Sequence, residues 1–323
     1  MSKVLITGGA GFIGVHLADH LTTHGGYTVT VIDNESLGDR ANLDLDRVRF
    51  VPGDLRDRDQ LGAALEGQDA VVHLAADTRV MDSIENPAHN FENNVIGTFN
   101  LLELSRELGV GRIVAASTGG AIVGDVPPPV HERMAAQPTS PYGASKLMLE
   151  GYLSAYSAAF GIRGCALRFS NIYGPRSFHK GSVVAHFYKR ILSGEPLIVY
   201  GDGSQARDFL YVGDLVEGIR AAVDGDAVGA YQLGSGVPTT VNELLDLMRT
   251  VTGQELDVVY EDFRAGEVVR TWCEIDKARD GLGFAPETAL DEGLRRTWEW
   301  FRGTPVDGSS RSGTGASAAD RNI

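Results

Sequence analysis

A short apolar run, Lys3-Val-Leu-Ile-Thr7, passes straight into Gly8-Gly-Ala-Gly11-Phe-Ile-Gly14, so glycines recur every third residue where a strand must turn into a helix. No other stretch restricts the fold as strongly. A glycine at such a turn permits the reversal, a second lets an anionic ligand approach the backbone with no Cβ in the way, and a third lets the helix lie close on the strand. Gly8, Gly11 and Gly14 take those places in that order. The helix that starts there offers N–H groups and partial positive charge to the ligand. With 40 glycines in the chain the spacing alone decides little. Its surroundings decide more: Phe12, Ile13, Leu17 and Leu21 mark an amphipathic helix, and Tyr27-Thr-Val-Thr-Val-Ile-Asp33 reads as a second strand ending on a carboxylate.

Asp33 stands 19 residues beyond Gly14. A carboxylate at that spacing accepts hydrogen bonds from an adenosine ribose and repels a 2′-phosphate, which points to NAD rather than NADP. Further strands are expected at 48–51, 70–74, 112–116 and 165–169, with helical patterns after most of them. Alternation of this kind predicts an α/β fold, a Rossmann doubly wound parallel sheet. It would occupy residues 1–170, with a later segment near 208–235 returning to it. Residues 171–302 read as a smaller, interleaved α/β substrate domain. The final stretch, 303–323, is rich in Gly, Ser, Ala and Thr and reads as a disordered tail.

Lys and Arg number 29 against 43 Asp and Glu, a formal net charge of −14, which argues against nucleic acid or an anionic membrane as partner. No apolar run approaches the ~18 residues that span a bilayer. The two cysteines, Cys165 and Cys273, do not form a metal-type pair and read as buried thiols of a cytoplasmic protein; no metal is expected. Helices at 93–108 and 142–160 carry more apolar surface than one sheet face needs. Val95, Phe99, Leu102 and Leu104 or Leu108 on the first, and Leu147, Leu149, Tyr152, Leu153 and Tyr156 on the second, are expected to face a core. The excess predicts a homodimer through these two helices.

Tyr142-Gly-Ala-Ser-Lys146 places a phenol and an ammonium one helical turn apart. A phenol is a weak base at its usual pKa of ~10, and a neighbouring ammonium together with a nicotinium charge is expected to bring it toward neutrality. With the glycine turn, this pair and a set of further landmarks, the chain resembles an extended short-chain dehydrogenase/reductase of the nucleotide-sugar epimerase/dehydratase family, UDP-glucose 4-epimerase-like, over residues 3–302. The landmarks are Asp54-Leu55, His73-Leu-Ala-Ala76, Asn94-Val-Ile-Gly-Thr98, Ser117-Thr118, Asn171-Ile-Tyr-Gly-Pro-Arg176, Gly201-Asp-Gly-Ser-Gln-Ala-Arg207-Asp208 and Arg264-Ala-Gly-Glu267.

The resemblance implies that Tyr142 is the acid/base, that Lys146 holds the nicotinamide ribose, and that a strand-end hydroxyl orients the sugar. It adds Phe12, Ile13, Asn34, Asp54, Leu55, Leu74, Ala75, Ala76 and Asn94 to the NAD site. For the nucleotide sugar it implies Asn171, Arg207 and Arg264 at the diphosphate, Val199 on the nucleobase strand, and Arg176, Val183 and Glu267 beside them. Counting back from Gly124, the usual hydroxyl position falls on Gly119, so the hydroxyl comes from Thr118, the favoured choice, or from Ser117. Val123 stands where relatives carry Tyr.

Related 4,6-dehydratases place Asp-Glu after that hydroxyl, whereas this chain has Gly119-Gly120. Elimination then lacks its acid/base pair, and 4-epimerisation of a UDP-hexose or UDP-hexuronate is the expected reaction. A 4,6-dehydratase or a 4-ketoreductase is the alternative within the family, and a non-catalytic NAD-binding scaffold the alternative outside it. Arg176, His179 and Lys180 could meet a hexuronate carboxylate, and the small Thr271 leaves room for an N-acetyl group.

Overall fold

Strands that are apolar without alternation belong inside a sheet covered on both faces, and Val4, Leu5 and Ile6 are wholly buried. A computed structural model describes residues 1–263 and 269–303. The first half runs β1 (Ser2–Thr7), α1 (Phe12–His24), β2 (Tyr27–Asp33), β3 (Val48–Pro52), α2 (Arg58–Leu65), β4 (Ala70–His73), α3 (Val80–Glu85), α4 (Pro87–Asn90), a π-type turn (Phe91–Ile96), α5 (Gly97–Glu107), β5 (Arg112–Thr118), α6 (Gly120–Val123) and α7 (Pro141–Phe160). The second half runs β6 (Arg163–Phe169), β7 (Asn171–Tyr173), α8 (Val183–Ser193), β8 (Leu197–Tyr200), β9 (Ala206–Tyr211), α9 (Val212–Asp224), β10 (Gly229–Leu233), β11 (Pro238–Thr240), α10 (Val241–Thr252), β12 (Val258–Glu261), α11 (Asp276–Leu282) and α12 (Leu290–Gly303).

Seven strands form one parallel sheet in the order β10-β6-β5-β4-β1-β2-β3. The α/β Rossmann reading is therefore correct. Strand order reverses beside β1, and a crevice opens there at the carboxyl ends of β1 and β4, where such folds take their ligands. On one face α1 and α9 bury Leu17, Leu21, Leu215 and Ile219; on the other α2, α5 and α7 bury Leu61, Leu65, Leu101, Leu102, Leu149 and Leu153. A separate core of Phe187, Tyr188, Leu244, Met248, Trp298 and Phe301 holds α8, α10 and α12 together. Beside it lie two small sheets, β11-β9-β7 and β12-β8.

Two expectations need correction. Phe99 and Tyr152 do not face the core: they are 38% and 41% exposed, because α5 and α7 turn Leu101, Leu102, Leu149 and Leu153 to the sheet and the aromatic rings outward. Of Leu104 and Leu108, Leu104 is the one in the core, and Leu108 is 43% exposed. The helix expected over 93–108 also begins inside the π-type turn and becomes regular only at Gly97. Among the described residues no helix is long and apolar enough to cross a membrane. Arg264, Glu267 and residues 304–323 of the expected tail lie outside the described residues.

Candidate active site

The crevice is shaped first by glycines. Gly8 has φ +68°, and a Cβ on it would sit 2.6 Å from Ala75 N. A Cβ on Gly14 would run into the backbone of Gly8 and Gly9. Gly11 caps α1 with extended backbone and no side chain on the cap, and the first turn of α1 carries no acidic residue. The leading N–H groups of α1 therefore point from a positively polarised helix end toward the crevice with no side-chain acceptor on them, which suits a pyrophosphate.

Asp33 ends β2 beside this turn. Its Oδ2 accepts from Ala10 N at 3.0 Å and its Oδ1 from Glu35 N at 2.7 Å. Burial pushes its carboxyl up, and the two backbone hydrogen bonds oppose that shift. Asn34 donates to Asp54 at 3.0 Å, and Arg56 pairs with Asp54 at 2.8 Å, holding that carboxyl well below the usual range. Leu55 is 9% exposed and packs in the core under α5. Leu74, Ala75 and Ala76 leave β4 half-buried on the crevice rim, and Ala75 N donates to Thr7 Oγ1 at 3.3 Å. Asn94 is a brace: its Oδ1 accepts from Asp77 N at 2.7 Å, and its Nδ2 donates to Asp77 O at 2.9 Å and to Ser145 Oγ at 3.2 Å.

At the end of β5 the two hydroxyls part company, as neighbours on a strand must. Ser117 Oγ donates to Glu150 Oε1 at 2.7 Å, inside a buried pair that Glu150 forms with Arg168 at 2.8 Å. Thr118 instead neighbours the Tyr142 phenol and favours its ionised form. That meeting depends on a close approach: a Cβ on Gly143 would collide with Ala121 O and stand 3.1 Å from Pro138 Cβ. Ser140 caps α7 by accepting from Gly143 N at 3.1 Å. Ser83 Oγ accepts from Tyr142 N at 3.2 Å, and Ser145 Oγ donates to Tyr142 O at 2.7 Å.

One turn on, Lys146 Nζ donates to Ala116 O at 2.9 Å and lies 5.9 Å from the centre of the Tyr142 ring. Burial pulls the ammonium down to about 8 and pushes the phenol up to about 12, with Thr118 opposing the latter. In the protein alone burial is the larger influence on the phenol; the expectation of a phenol near neutrality rests also on the cationic ring of NAD.

Of the residues expected at the sugar nucleotide, Asn171 donates to Asp208 O at 3.3 Å, and Arg207 Nη1 donates to Ala206 O at 3.1 Å and Val269 O at 3.2 Å. Val199 is buried in β8 and Val183 opens α8, both against the α8/α10/α12 core. Arg176, at φ +62°, ion-pairs with Asp19 of α1 at 2.6 Å. Lys180 donates to Ile172 O at 3.0 Å and sits 5.0 Å from the Phe12 ring centre. The basic cluster read along the sequence therefore has partners of its own. Val123 is buried with Ile122 and Val130 in a small apolar cluster.

Ser83, Gly143, Ser145 and the Glu150–Arg168 pair went unread in the sequence. Only Gly143 and Ser145 carried a signal, lying between Tyr142 and Lys146. Gln232 is another: a Cβ on Gly119 would stand 2.7 Å from its Oε1.

The family model described as the NAD dependent epimerase/dehydratase family matches residues 4–234. A UDP-glucose 4-epimerase of Mycolicibacterium smegmatis is 35% identical over 309 residues, covering 93% of this chain and 98% of the relative. The crystal structure of the Thermotoga maritima UDP-glucose 4-epimerase with UDP-glucose superposes with a TM-score of 0.88 at 38% identity, over 93% of this chain and 99% of that one. The Thermus thermophilus UDP-glucose 4-epimerase in complex with NAD gives a TM-score of 0.87, also at 38% identity, over 94% of this chain and 100% of that one.

Proposed function

The chain belongs to the NAD-dependent epimerase/dehydratase family, and from that premise we propose that it is an NAD-dependent 4-epimerase of nucleotide sugars, acting on a UDP-hexose or UDP-hexuronate through a transient 4-keto sugar. The observation that carries the reading is Tyr142 with the buried Lys146 one turn further on, its Nζ 5.9 Å from the ring centre, beside Thr118 at the end of β5 and in the same fold as a glycine-built phosphate cradle. Gly8, Gly11, Gly14 and the N-terminus of α1 would hold the pyrophosphate, Asp33 the adenosine ribose and Lys146 the nicotinamide ribose. NAD bound there supplies a hydride acceptor that returns what it takes and, when oxidised, a positively charged ring.

Tyr142 Oη removes the proton of the sugar 4-hydroxyl and later gives it back. Thr118 favours the ionised form of that phenol and fixes the oxygen it works on, while the buried Lys146 ammonium lowers the cost of the phenolate. Asn171 and Arg207 would hold the diphosphate, leaving the sugar free to present its other face. Gly119 favours this reaction over elimination: a side chain there would stand against Gln232, so the first acid of a dehydratase pair is seated only if that buried amide moves. The pairing of Arg176 with Asp19 favours a neutral hexose over a hexuronate.

The test is direct. Incubated with UDP-glucose, UDP-glucuronate, UDP-N-acetylglucosamine and their dTDP and GDP counterparts, the protein should invert C4 of a UDP sugar, read by proton NMR, with no net change in NAD. A 4-keto-6-deoxy product or stoichiometric use of NADH would replace this reading with the dehydratase or the reductase.

A homodimer and a cytoplasmic location belong to the same proposal. Phe99 and Tyr152 meet edge to face at 5.8 Å, Tyr156 and Phe160 follow on the same helix at 5.1 Å, and Phe160 is 53% exposed. Such an aromatic strip along α5 and α7 is costly to leave in water. Light scattering should give twice the chain mass for the wild type and the monomer mass for F99E/Y152E. Cys165 and Cys273 are buried free thiols, which suits a reducing compartment.

A further inference from the structure

On the face of the sheet that carries α1 and α9, remote from Tyr142 in the fold, two histidines one helical turn apart on α1 meet a carboxylate of α9. We propose that His20, His24 and Glu217 form a three-ligand site for a divalent transition-metal ion of the zinc class, which ties the nucleotide-binding helix α1 to α9.

Two of the three ligands are already oriented by something other than a metal, His24 by a backbone carbonyl and Glu217 by Arg220. His24 Nδ1 lies 3.0 Å from the carbonyl oxygen of His20. A carbonyl only accepts, so Nδ1 carries the proton and the lone pair of the neutral ring sits on Nε2. That backbone tether is the usual device for presenting a histidine to a metal. His20 Nε2 is buried and has no hydrogen-bond partner, although the Glu217 carboxylate is close by. A buried ring nitrogen left unpaired in this way is costly, and a ligand bond would satisfy it.

The spacing fits the same answer. His20 Nε2 and Glu217 Oε1 are 3.4 Å apart, too far for a good hydrogen bond. Two ligand atoms bound to zinc at about 2.0–2.1 Å with tetrahedral angles stand about 3.3 Å apart. One edge of the coordination shell is thus in place, and the donor atoms of all three residues lie within 4.8 Å of one another. The two imidazoles are already gathered, with ring centres 4.0 Å apart. His24 is exposed at the end of α1, so its side chain can close the remaining gap. Water would complete the tetrahedron.

Arg220 is the opposing charge, and it is engaged elsewhere: its Nε donates to Glu217 Oε2 at 3.1 Å and its Nη1 to Asp224 at 3.0 Å. It therefore orients the Glu217 carboxylate, with Oε1 turned to His20. Neutral histidine nitrogens and one carboxylate select zinc, cobalt or nickel over magnesium, which prefers an all-oxygen shell.

The experiment uses the full, tag-free chain with NAD bound, titrated with Zn2+ by calorimetry and with Co2+ by visible absorption. One Zn2+ per chain, a rise in Tm, a tetrahedral Co2+ band and no response to Mg2+ are expected. His24→Ala and Glu217→Gln, both at exposed positions, should each weaken Zn2+ binding by more than about tenfold. His89→Ala, another exposed histidine, should leave it unchanged. Zn2+ uptake that is absent, or equal in the wild type, His24→Ala and Glu217→Gln, overturns the proposal. Neither result depends on sugar turnover, so the epimerase reading stands or falls separately.

Discussion

Tyr142→Phe should lower kcat for sugar inversion by about 10²–10⁴-fold, the range supplied by a positioned proton-transfer group, while the protein still binds NAD. Only the phenolic oxygen is lost. The ring keeps its half-buried place near Lys146, and the backbone of residue 142 keeps its hydrogen bonds to Ser83 and Ser145. Thr118→Val should fall in the same direction and by less, because it removes the hydroxyl that favours the ionised phenol but leaves the base. Ser117→Ala should leave the chemistry near wild type and lower stability instead, since Ser117 Oγ serves the buried Glu150–Arg168 pair. The three variants are compared by kcat at saturating UDP sugar, with NAD content read from absorbance and cofactor fluorescence. Turnover by Tyr142→Phe at the wild-type rate would remove Tyr142 from the mechanism. A larger kcat loss in Ser117→Ala than in Thr118→Val would reverse the assignment of the strand-end hydroxyl.

What could be read along the chain was whatever is encoded at short range. The glycine turn and the Tyr142/Lys146 pair depend on spacings of three and four residues, and a strand or helix turns such spacing into geometry without outside help. Long-range partners are different. Arg176 looked like part of a basic sugar-site cluster because the residue that neutralises it, Asp19, stands 157 positions away on α1. Phe99 and Tyr152 looked like core residues because helical periodicity reports an apolar stripe but not which of two apolar stripes meets the sheet. The two neighbours Ser117 and Thr118 point to opposite sides of the strand, and the partner that engages Ser117, Glu150, stands 33 residues on. The rise of the Tyr142 phenol could not be read either, since desolvation depends on everything packed around the ring.

Acid should weaken the fold through one residue more than its surface histidines would indicate. His73 is buried at the end of β4, its Nδ1 2.8 Å from Thr7 Oγ1 and its Nε2 2.9 Å from Thr98 Oγ1. A neutral imidazole serves both hydroxyls, donating through one nitrogen and accepting through the other. Protonation removes the acceptor and places a second cation in the low-dielectric region of Lys146, so burial first, and that ammonium second, pull His73 down to about 3. The unfolded chain therefore takes up a proton as pH falls through about 6.5, and the folded chain does not until about 3. Across that window unfolding binds one extra proton, which costs the native state about 1.4 kcal/mol per pH unit. Paired carboxylates add their own losses in acid, so the contribution of His73 is read as a difference. In urea titrations at pH 7.5, 6.5, 5.5 and 4.5, the wild type should start more stable than His73→Gln and lose that advantage below about pH 6.5 at roughly this slope. Parallel curves would mean that His73 titrates alike in both states and that its place between Thr7 and Thr98 has no bearing on acid stability. The same residue bears on function through Thr7, whose Oγ1 also accepts from Ala75 N at the crevice rim. Because the folded chain keeps His73 neutral until about pH 3, residues 74–76 should stay in place, and bound NAD should be retained across that window for as long as the chain remains folded.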